Sequence, residues 1–401
     1  MKKTLSTVLF LIIALSCLLT CAGCGQNDMI VYTLSNDQTH YVVSGLDYDP
    51  DKKPTRLNLS IKSHVDGIPV TEIGNDAFNG ENLEKITLPD TITKIGDNAF
   101  FGCKYLQRID LPDALTHIGN QAFVGCSLIE LLHVGGNVDF IGEYAFQNCT
   151  SLSSVVFEEG ATTLGTYTFN NCANLVYVTI PSTIDTIGWG VFSDCFNLRD
   201  TQFLPDSIHT IDGWAFNNCS LLETLYLPES LKVIGEYAFY GCNLTSVVLN
   251  EGLEYIGDGA FEYNLTLSEF SLPDGLTHIG ANIIFDTAFY SNPDNWQTVS
   301  NGSGNVRGGL YVNDYLLTVD YSYTGLYTVE DGTVLIATGA LYSTNVIGFV
   351  IPESVQYVCS EAIAYNPFLF AIYCRAPQQP QTWAEDWNDL SNVAPLFGYV
   401  G

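Results

Sequence analysis

The fold is decided by the stretch IGDNAFFGC at residues 95–103, in which an Ile-Gly pair is followed by Ala-Phe and then by a cysteine. Variants of this stretch recur along the chain, and their first residues lie 22 to 24 positions apart. These first residues are Ile73, Ile95, Ile118, Ile141, Leu164, Ile187, Ile211, Ile234, Ile256 and Ile279. A regular period of roughly 20–50 residues is typical of repeat proteins in which each unit forms one turn of a stack.

Each unit carries further markers in a fixed order. A cysteine stands four residues after the alanine position in seven successive units, and an asparagine takes its place in the next one: Cys103, Cys126, Cys149, Cys172, Cys195, Cys219, Cys242 and Asn264. The motif L-x-x-L-x-L follows and predicts strands over 106–111, 152–157, 175–180, 222–227 and 267–272. A proline often ends this strand, because proline lacks the N–H group that a strand ladder needs.

A unit this short cannot bury both of its faces alone, so it must stack on copies of itself. The apolar positions then point inward as columns, and strands of successive turns pair in parallel. The glycine after each isoleucine predicts a tight corner with positive φ, which a branched residue would not tolerate. The sequence therefore predicts a β-rich repeat solenoid with turns of about 23 residues.

The pattern resembles the leucine-rich repeats of BspA-like surface proteins, whose core motif is I-G-x-x-A-F-x-x-C. The resemblance covers nearly all of the chain after its N-terminal segment and implies a solenoid closed by caps. We expect an N-terminal cap at 30–72, the main solenoid at 73–285, an inserted β-hairpin segment at 286–335, final repeat coils at 336–375 and a C-terminal cap at 376–401. Caps are required because an open last coil exposes both its core and a strand edge.

The first residues are typical of an export signal. A basic start, a short apolar run and small residues cover 1–23, and the apolar run is too short to span a bilayer. The segment resembles a bacterial lipoprotein signal, which implies lipidation of Cys24, with Cys21 as the second choice, and a tether at 24–29. A thiol redox pair is the less favoured interpretation of these two cysteines. We therefore expect an exported protein, anchored by lipid at the cell surface.

Composition and charge exclude several classes of protein. The 401 residues carry a net charge of −30, 47% are hydrophobic, and Tyr and Phe number 23 and 22. A chain with so many aromatic residues and only 14% charged residues is not intrinsically disordered. A nucleic-acid partner is also disfavoured, because such binding depends on Lys and Arg neutralising phosphates. Contact with a membrane is expected through the lipid anchor only.

The seven cysteines of the repeat occupy one equivalent position per turn. Stacked neighbours point the same way, so a disulfide between adjacent turns would be strained. The ligands of a metal site are usually clustered at short spacings in the sequence, whereas these cysteines are separated by a whole repeat. Buried free thiols are therefore favoured over disulfides between neighbours and over metal, and we expect no cofactor.

No catalytic constellation is evident in the sequence. His117 and His278 stand at repeat positions directly before an isoleucine, which is typical of a structural corner. His133 is predicted on the exposed side of a strand but has no nucleophile beside it. We expect no enzyme activity; a remote alternative is an active site in the insertion at 286–335.

Two rows of side chains are candidate ligand-binding residues. The first lies between the last two apolar positions of the strand and consists of His133, Val156, Thr179, Gln202 and Tyr226. It is uncharged in an acidic protein, which favours a partner surface, although such residues are also ordinary in strands. The second follows the Ile-Gly corner and consists of Tyr144, Tyr167, Trp189, Trp214 and Tyr237. Its rings would suit a glycan or peptide, or they pack against the neighbouring turn.

The resemblance implies a binding or adhesion protein that recognises macromolecules, such as a host matrix protein or a microbial surface. The alternative is a surface component that captures glycans for nutrient uptake. In either case the expected partner is an extracellular protein or glycan.

Overall fold

The structure, a computed structural model, describes residues 25–300, 304–389, 391 and 393–400. The signal segment and Cys24 lie outside these residues. Successive turns stack with their strands parallel and in register, so that Ile73 pairs with Ile95 and Ile95 with Ile118. The predicted repeat solenoid is therefore confirmed.

The N-terminal part begins with a 3₁₀ helix at Gln26–Met29 and includes a second at Pro50–Lys52. Its strands are β1 (Ile30–Leu34), β2 (Tyr41–Leu46), β3 (Leu57–Ser60), β4 (His64–Val65) and β5 (Ile68–Ile73). The β1–β2 pair is an antiparallel hairpin, and β2 pairs in parallel with β5. This hairpin covers the open edge of the first turn and so protects the end of the stack.

The solenoid strands alternate between two faces. They are β6 (Leu83–Thr87), β7 (Lys94–Ile95), β8 (His117–Ile118), β9 (Leu131–Val134), β10 (Phe140–Ile141), β11 (Ser154–Phe157), β12 (Tyr177–Thr179), β13 (Thr186–Ile187), β14 (Thr210–Ile211), β15 (Val233–Ile234), β16 (Ser246–Val248), β17 (Tyr255–Ile256), β18 (Glu269–Ser271) and β19 (His278–Ile279). Each two-residue strand ends at the isoleucine that opens the repeat motif, and these strands together with β5 form the isoleucine face, in the orders β5-β7-β8-β10 and β13-β14-β15-β17-β19. The longer strands form the strand face, in the sheets β3-β6, β9-β11-β12 and β16-β18.

Two columns fill the core between these faces. The phenylalanines of nine turns, from Phe78 to Phe261, stack with ring centroids 5.0 to 5.9 Å apart. The seven repeat cysteines are buried and free, and each thiol donates to the carbonyl oxygen of the phenylalanine in the preceding turn at 3.1 to 3.4 Å. Asn264 makes the same contact through its amide, donating to Phe239 O at 2.8 Å. The cysteine column is thus a polar link between turns inside the core.

The glycine after each isoleucine serves another purpose than the one expected. Gly96 and Gly119 do not have positive φ; the left-handed residues come two positions later, at Asn98 (φ 53°) and Gln121 (φ 55°). A Cβ atom on Gly119 would lie 2.6 Å from the backbone nitrogen of Asp97 in the preceding turn. Glycine is required because the turns approach too closely for a side chain, so the prediction of positive φ was wrong.

Two of the expected strands are not formed. Residues 106–111 have no strand hydrogen bonds, and within 222–227 only an isolated bridge from Thr224 to Asp200 is present. Leu106 and Ile109 are nevertheless buried. The apolar motif indicates which side chains face the core. It does not predict a strand at these positions, because a buried side chain does not by itself bring the backbones of two turns within hydrogen-bonding distance.

The segment after the main solenoid contains the helix α1 (Ala288–Ser291) and a 3₁₀ helix at Pro293–Asn295. Its strands are β20 (Trp296–Ser300), β21 (Asn305–Val312), β22 (Tyr315–Val319), β23 (Thr324–Thr328) and β24 (Leu335–Ile336). Strands β20, β21 and β22 are antiparallel, and β22 then pairs in parallel with β24. The hairpin therefore leads the chain back into the repeat, and Thr338 N donates to Ile279 O of the last regular turn at 2.9 Å.

The final strands are β25 (Leu341–Tyr342), β26 (Asn345–Ile351), β27 (Tyr357–Val358), β28 (Ile363–Ala364), β29 (Ala371–Cys374) and β30 (Pro395–Phe397). A four-stranded sheet runs in the order β23-β26-β29-β30. Trp383 and Trp387 are buried against each other with ring centroids 5.2 Å apart. Trp387 O accepts from Ile363 N at 3.0 Å, so this segment covers the last turn.

Candidate binding surfaces

The strand face places part of the first candidate row side by side. His133, Val156 and Thr179 are in register across β9, β11 and β12. Gln202 and Tyr226 lie on following turns that no ladder joins to β12. The row is therefore continuous over three turns and interrupted after Thr179.

Apolar side chains beside this row are strongly exposed. Leu131 and Tyr177 are 64% and 55% exposed and flank Ser154 in register. Farther along the face, Tyr226 is 51% and Val248 is 77% exposed. Large apolar side chains exposed in neighbouring positions mark interaction surfaces more often than isolated ones do.

The interruptions of the strand face form clefts. Residues 107–111 and 130–133 line a cleft of about 540 Å³ together with Ser154 and Val156. In it, Arg108 and Asp110 form an ion pair at 2.7 Å, and His133 lies 3.2 Å from Glu158 at its rim. A second cleft of about 430 Å³ separates β12 from Gln202 and Phe203. The strand face is thus uneven, with exposed apolar residues between two clefts.

The C-terminal sheet adds apolar surface that the sequence analysis did not identify. The exposed residues are Leu326, Ile347, Phe368, Phe370 and Leu396, of which Phe370 is 69% exposed. Strands β23, β26, β29 and β30 carry or adjoin these residues. The sequence analysis defined its candidate rows on the regular repeat. These residues lie after the end of that repeat, so the same pattern could not identify them.

The second candidate row, of aromatic residues, is partly buried against neighbouring turns. Tyr144 stacks on Tyr167 with ring centroids 5.3 Å apart, and Trp214 packs on Tyr237 at 4.9 Å. Trp189 is 39% exposed. Its place in the repeat differs from the others, because it stands two residues after Ile187 whereas the other four stand three residues after theirs.

The histidines at the isoleucine face are packed against aromatic rings. His117 stacks on Phe140 and His278 stacks on Tyr255, each with ring centroids 4.4 Å apart. Burial lowers the pKa of both imidazoles, because it disfavours the charged form. Within the described residues no cluster of three or more His, Cys, Asp or Glu side chains is arranged to hold a metal ion.

The thiols of the cysteine column are expected to be unreactive. Burial raises the pKa of Cys103 and of Cys149 to about 12. The thiolate is the nucleophile and the metal ligand, so a thiol that stays protonated at neutral pH serves neither role. The column therefore belongs to the core and not to a site.

The insertion holds a cluster of polar side chains that are hydrogen-bonded to one another. Tyr327 Oη lies 3.2 Å from Tyr311 Oη and donates to Gln297 Oε1 at 2.9 Å, and Gln297 Nε2 donates to Glu330 Oε1 at 2.7 Å. Burial raises the pKa of both tyrosines. The cavity nearby, between Ile283 and Leu310, measures about 20 Å³, which is space for one water molecule. These groups pair with each other and join β20 and β21 to β23.

Among the described residues, none of the helices combines the length and the apolar character that crossing a membrane requires.

Comparison with known proteins identifies the repeat. The family model for the BspA type leucine rich repeat region matches residues 71–199 and 200–299, in six copies. None of the curated proteins compared with the chain matches it. The chain resembles the crystal structure of a leucine-rich repeat protein from Bacteroides ovatus, with 21% identity and a TM-score of 0.61 over 93% of this chain and 91% of that one.

Two further solved structures match the chain at lower similarity. A leucine rich cell surface protein from Faecalibacterium prausnitzii is 21% identical, with a TM-score of 0.38 over 88% of this chain and 76% of that one. The pneumococcal vaccine antigen PcpA is 18% identical, with a TM-score of 0.41 over 94% of this chain and 99% of that one.

Proposed function

The chain belongs to the BspA type leucine-rich repeat family, and from this premise we propose that it is a binding protein of the cell surface that recognises an extracellular protein through its strand face. Leucine-rich repeats are typically binding scaffolds without catalytic activity, because a stack of turns offers long surfaces and few enclosed pockets. The proposal includes export by the segment 1–23 and anchoring through a lipid on Cys24.

The observation that carries this proposal is the exposure of large apolar residues on a sheet of a strongly acidic protein. Leu131, Tyr177 and Val248 each leave more than half of their surface in water. Tyrosine supplies rigid contact area with a polar tip, and it is enriched at the centres of protein interfaces. His133, Thr179 and Gln202 of the candidate row lie beside these residues and would supply polar contacts around them.

The acidic charge limits the choice of partner. With 44 Asp and Glu against 14 Lys and Arg, the chain repels acidic surfaces and attracts basic ones over roughly one Debye length, about 8 Å at physiological salt. We therefore propose an extracellular protein that presents a basic or neutral surface with apolar residues at its centre.

The test is binding of the soluble chain to an array of immobilised extracellular matrix glycoproteins at physiological salt. The double variant Tyr177→Ser/Tyr226→Ser should weaken binding at least tenfold, since each truncated aromatic anchor costs about 1–2 kcal/mol or more. The matched control is Tyr321→Ser, which removes a ring that is 73% exposed in the insertion. Binding that the double variant and the control lower equally would reject the strand face as the site.

A further inference from the structure

The isoleucine face opens between the turns that contain Leu164 and Ile187. One sheet of this face ends at β10 and the next begins at β13. No backbone hydrogen bond joins residues 162–165 to residues 185–188, all of which the structure describes. The same two turns are joined on either side of the opening, where Tyr167 N donates to Trp189 O at 2.8 Å and Thr183 Oγ1 donates to Ala161 O. The opening is therefore a local slot and not an end of the stack.

The space around a Cβ atom placed on each corner glycine shows how far apart the turns lie here. A Cβ on Gly142 or on Gly165 would come within 2.5 Å of the backbone of the preceding turn. A Cβ on Gly188 would come no closer than 3.5 Å to it, at Leu164 O. That distance is an ordinary van der Waals contact, so these two turns lie farther apart than their neighbours. The slot contains about 320 Å³, at the lower end of the range of small-molecule sites, roughly 300–1,000 Å³.

An unusual carboxylate faces this slot. Asp212 stands directly after Ile211, where the other turns of the main solenoid have glycine, and it lines the slot with Asp185. Its carboxylate is half-buried and has no hydrogen-bond or ion-pair partner among the described residues, and burial raises its pKa. A carboxylate removed from water needs hydrogen-bond donors. Since the protein supplies none, a ligand that fills the slot would have to bring them.

A flat apolar ring forms another wall. Trp189 lines the slot and is 39% exposed. Its ring covers Gly213, whose Cβ position lies 2.6 Å from the indole, and its Nε1 donates to Tyr167 Oη at 3.2 Å. The indole is therefore held in place by the next turn on one side and by a hydrogen bond at its edge. It offers a fixed apolar surface beside the two carboxylates.

We infer that this slot, the Trp189 cleft, binds one sugar unit of a neutral glycan. A pyranose ring combines an apolar C–H face, which suits the indole, with hydroxyl donors, which suit the carboxylates of Asp212 and Asp185. The lining of the cleft contains no lysine or arginine, so an acidic sugar would meet two carboxylates without compensation. The cleft lies on the isoleucine face and is independent of the proposed protein-binding surface.

The test uses the full chain in titrations with neutral oligosaccharides, namely cello-, malto-, manno-, galacto- and xylo-oligosaccharides, followed by calorimetry and tryptophan fluorescence. We expect at least one series to bind with a dissociation constant between about 10 µM and 1 mM. Trp189→Ala and Asp212→Asn should each weaken that binding at least tenfold, as loss of a ring contact or of a charged acceptor does. Asp212→Gly restores the regular residue of the repeat and should also lose binding while keeping the thermal midpoint.

The matched control is Trp214→Ala, which removes the neighbouring indole, outside the lining of the cleft. It should keep the affinity within about twofold. The inference is overturned if none of the five series binds at about 10 mM, if binding survives Trp189→Ala, if Trp214→Ala weakens it equally, or if a lysine-rich peptide occupies the cleft more tightly than the sugars do. Binding to matrix glycoproteins through the strand face is measured separately, with Tyr177→Ser/Tyr226→Ser, so either result can fail alone.

Discussion

At the scale of single residues, close approach between turns decides which side chains the repeat accepts. Gly119 lies where a methyl group would meet the backbone of the preceding turn at 2.6 Å. Gly135, in the same turn, has no atom within 4 Å of its Cβ position. Packing therefore requires glycine at position 119, whereas position 135 has room for a side chain.

We expect Gly119→Ala to lower the free energy of unfolding by about 1–3 kcal/mol, the usual cost of forcing a group into a close-packed site. Gly135→Ala is the control and should leave stability unchanged or raise it by less than about 1 kcal/mol. Urea unfolding followed by circular dichroism measures both. Equal effects at the two positions would contradict the packing argument.

The buried thiols predict a dependence of stability on alkaline pH. Burial raises the pKa of Cys103 and Cys149 from 9.0 to about 12, so the folded chain holds the neutral thiol where the unfolded chain ionises. Their contribution is fully present below pH 9 and is lost as the pH rises from about 9 to about 12. The urea midpoint should therefore fall progressively between pH 9 and pH 11.

The control for this prediction is Cys149→Asn, which places at one turn the residue that Asn264 supplies naturally. It removes one titrating group and should make the fall of the midpoint shallower. A midpoint that stays constant from pH 8 to pH 11 would show that these thiols do not titrate differently in the two states.

At the scale of elements, the last turn depends on its tryptophans. Trp387 is 1% exposed, packs edge-on against Trp383, and accepts from Ile363 N through its backbone. Trp383 in turn donates through Nε1 to Val355 O at 3.3 Å. These contacts cover the apolar side of the final turns, which would otherwise face water.

Trp387→Ala should cost about 3–5 kcal/mol, as large-to-small changes at buried aromatic positions do. Because each turn contacts mainly its neighbours, the loss should be local. Hydrogen exchange should accelerate in β26, β28 and β29 and stay slow in β7 and β8. Val400→Ala, at a residue that is 99% exposed, is the control. Equal acceleration in β7 would mean that the stack unfolds as one unit.

The elements also show where a sequence pattern is informative and where it is not. The Ile-Gly pairs were predicted as corners, and their isoleucines end the short strands β7, β8 and β10, because a two-residue strand and a close contact occur together in these turns. The motif at 106–111 marks buried side chains without a strand. Hydrogen bonding between strands requires the right distance between turns, and the residues of one turn do not determine that distance.

At the scale of the whole molecule, the stack behaves as a series of interchangeable turns. Removal of residues 119–141 deletes one 23-residue period and joins Ile118 to Gly142, which restores an Ile-Gly pair. We expect this deletion to fold, because the new neighbours present equivalent strands and core positions.

The matched deletion removes residues 119–129, about half a period. The turns after the deletion would then be out of phase with those before it, so that equivalent strands and core positions would no longer lie next to each other. We expect this variant not to fold. Circular dichroism and gel filtration of the two variants make the comparison. A half-period deletion that is as stable as the full one would contradict a periodic stack.

The sequence alone determined the period, the inward-facing columns, the burial of the cysteines and the family, because each depends on residues that recur in every turn. The tertiary structure decided what happens between turns. It showed that glycine is needed for close approach, that the strand face is broken by clefts, and that the turns around Trp189 and Asp212 separate to form a slot. A repeat specifies what each turn contributes, but the distance between two turns depends on side chains from both, and only their packing reveals it.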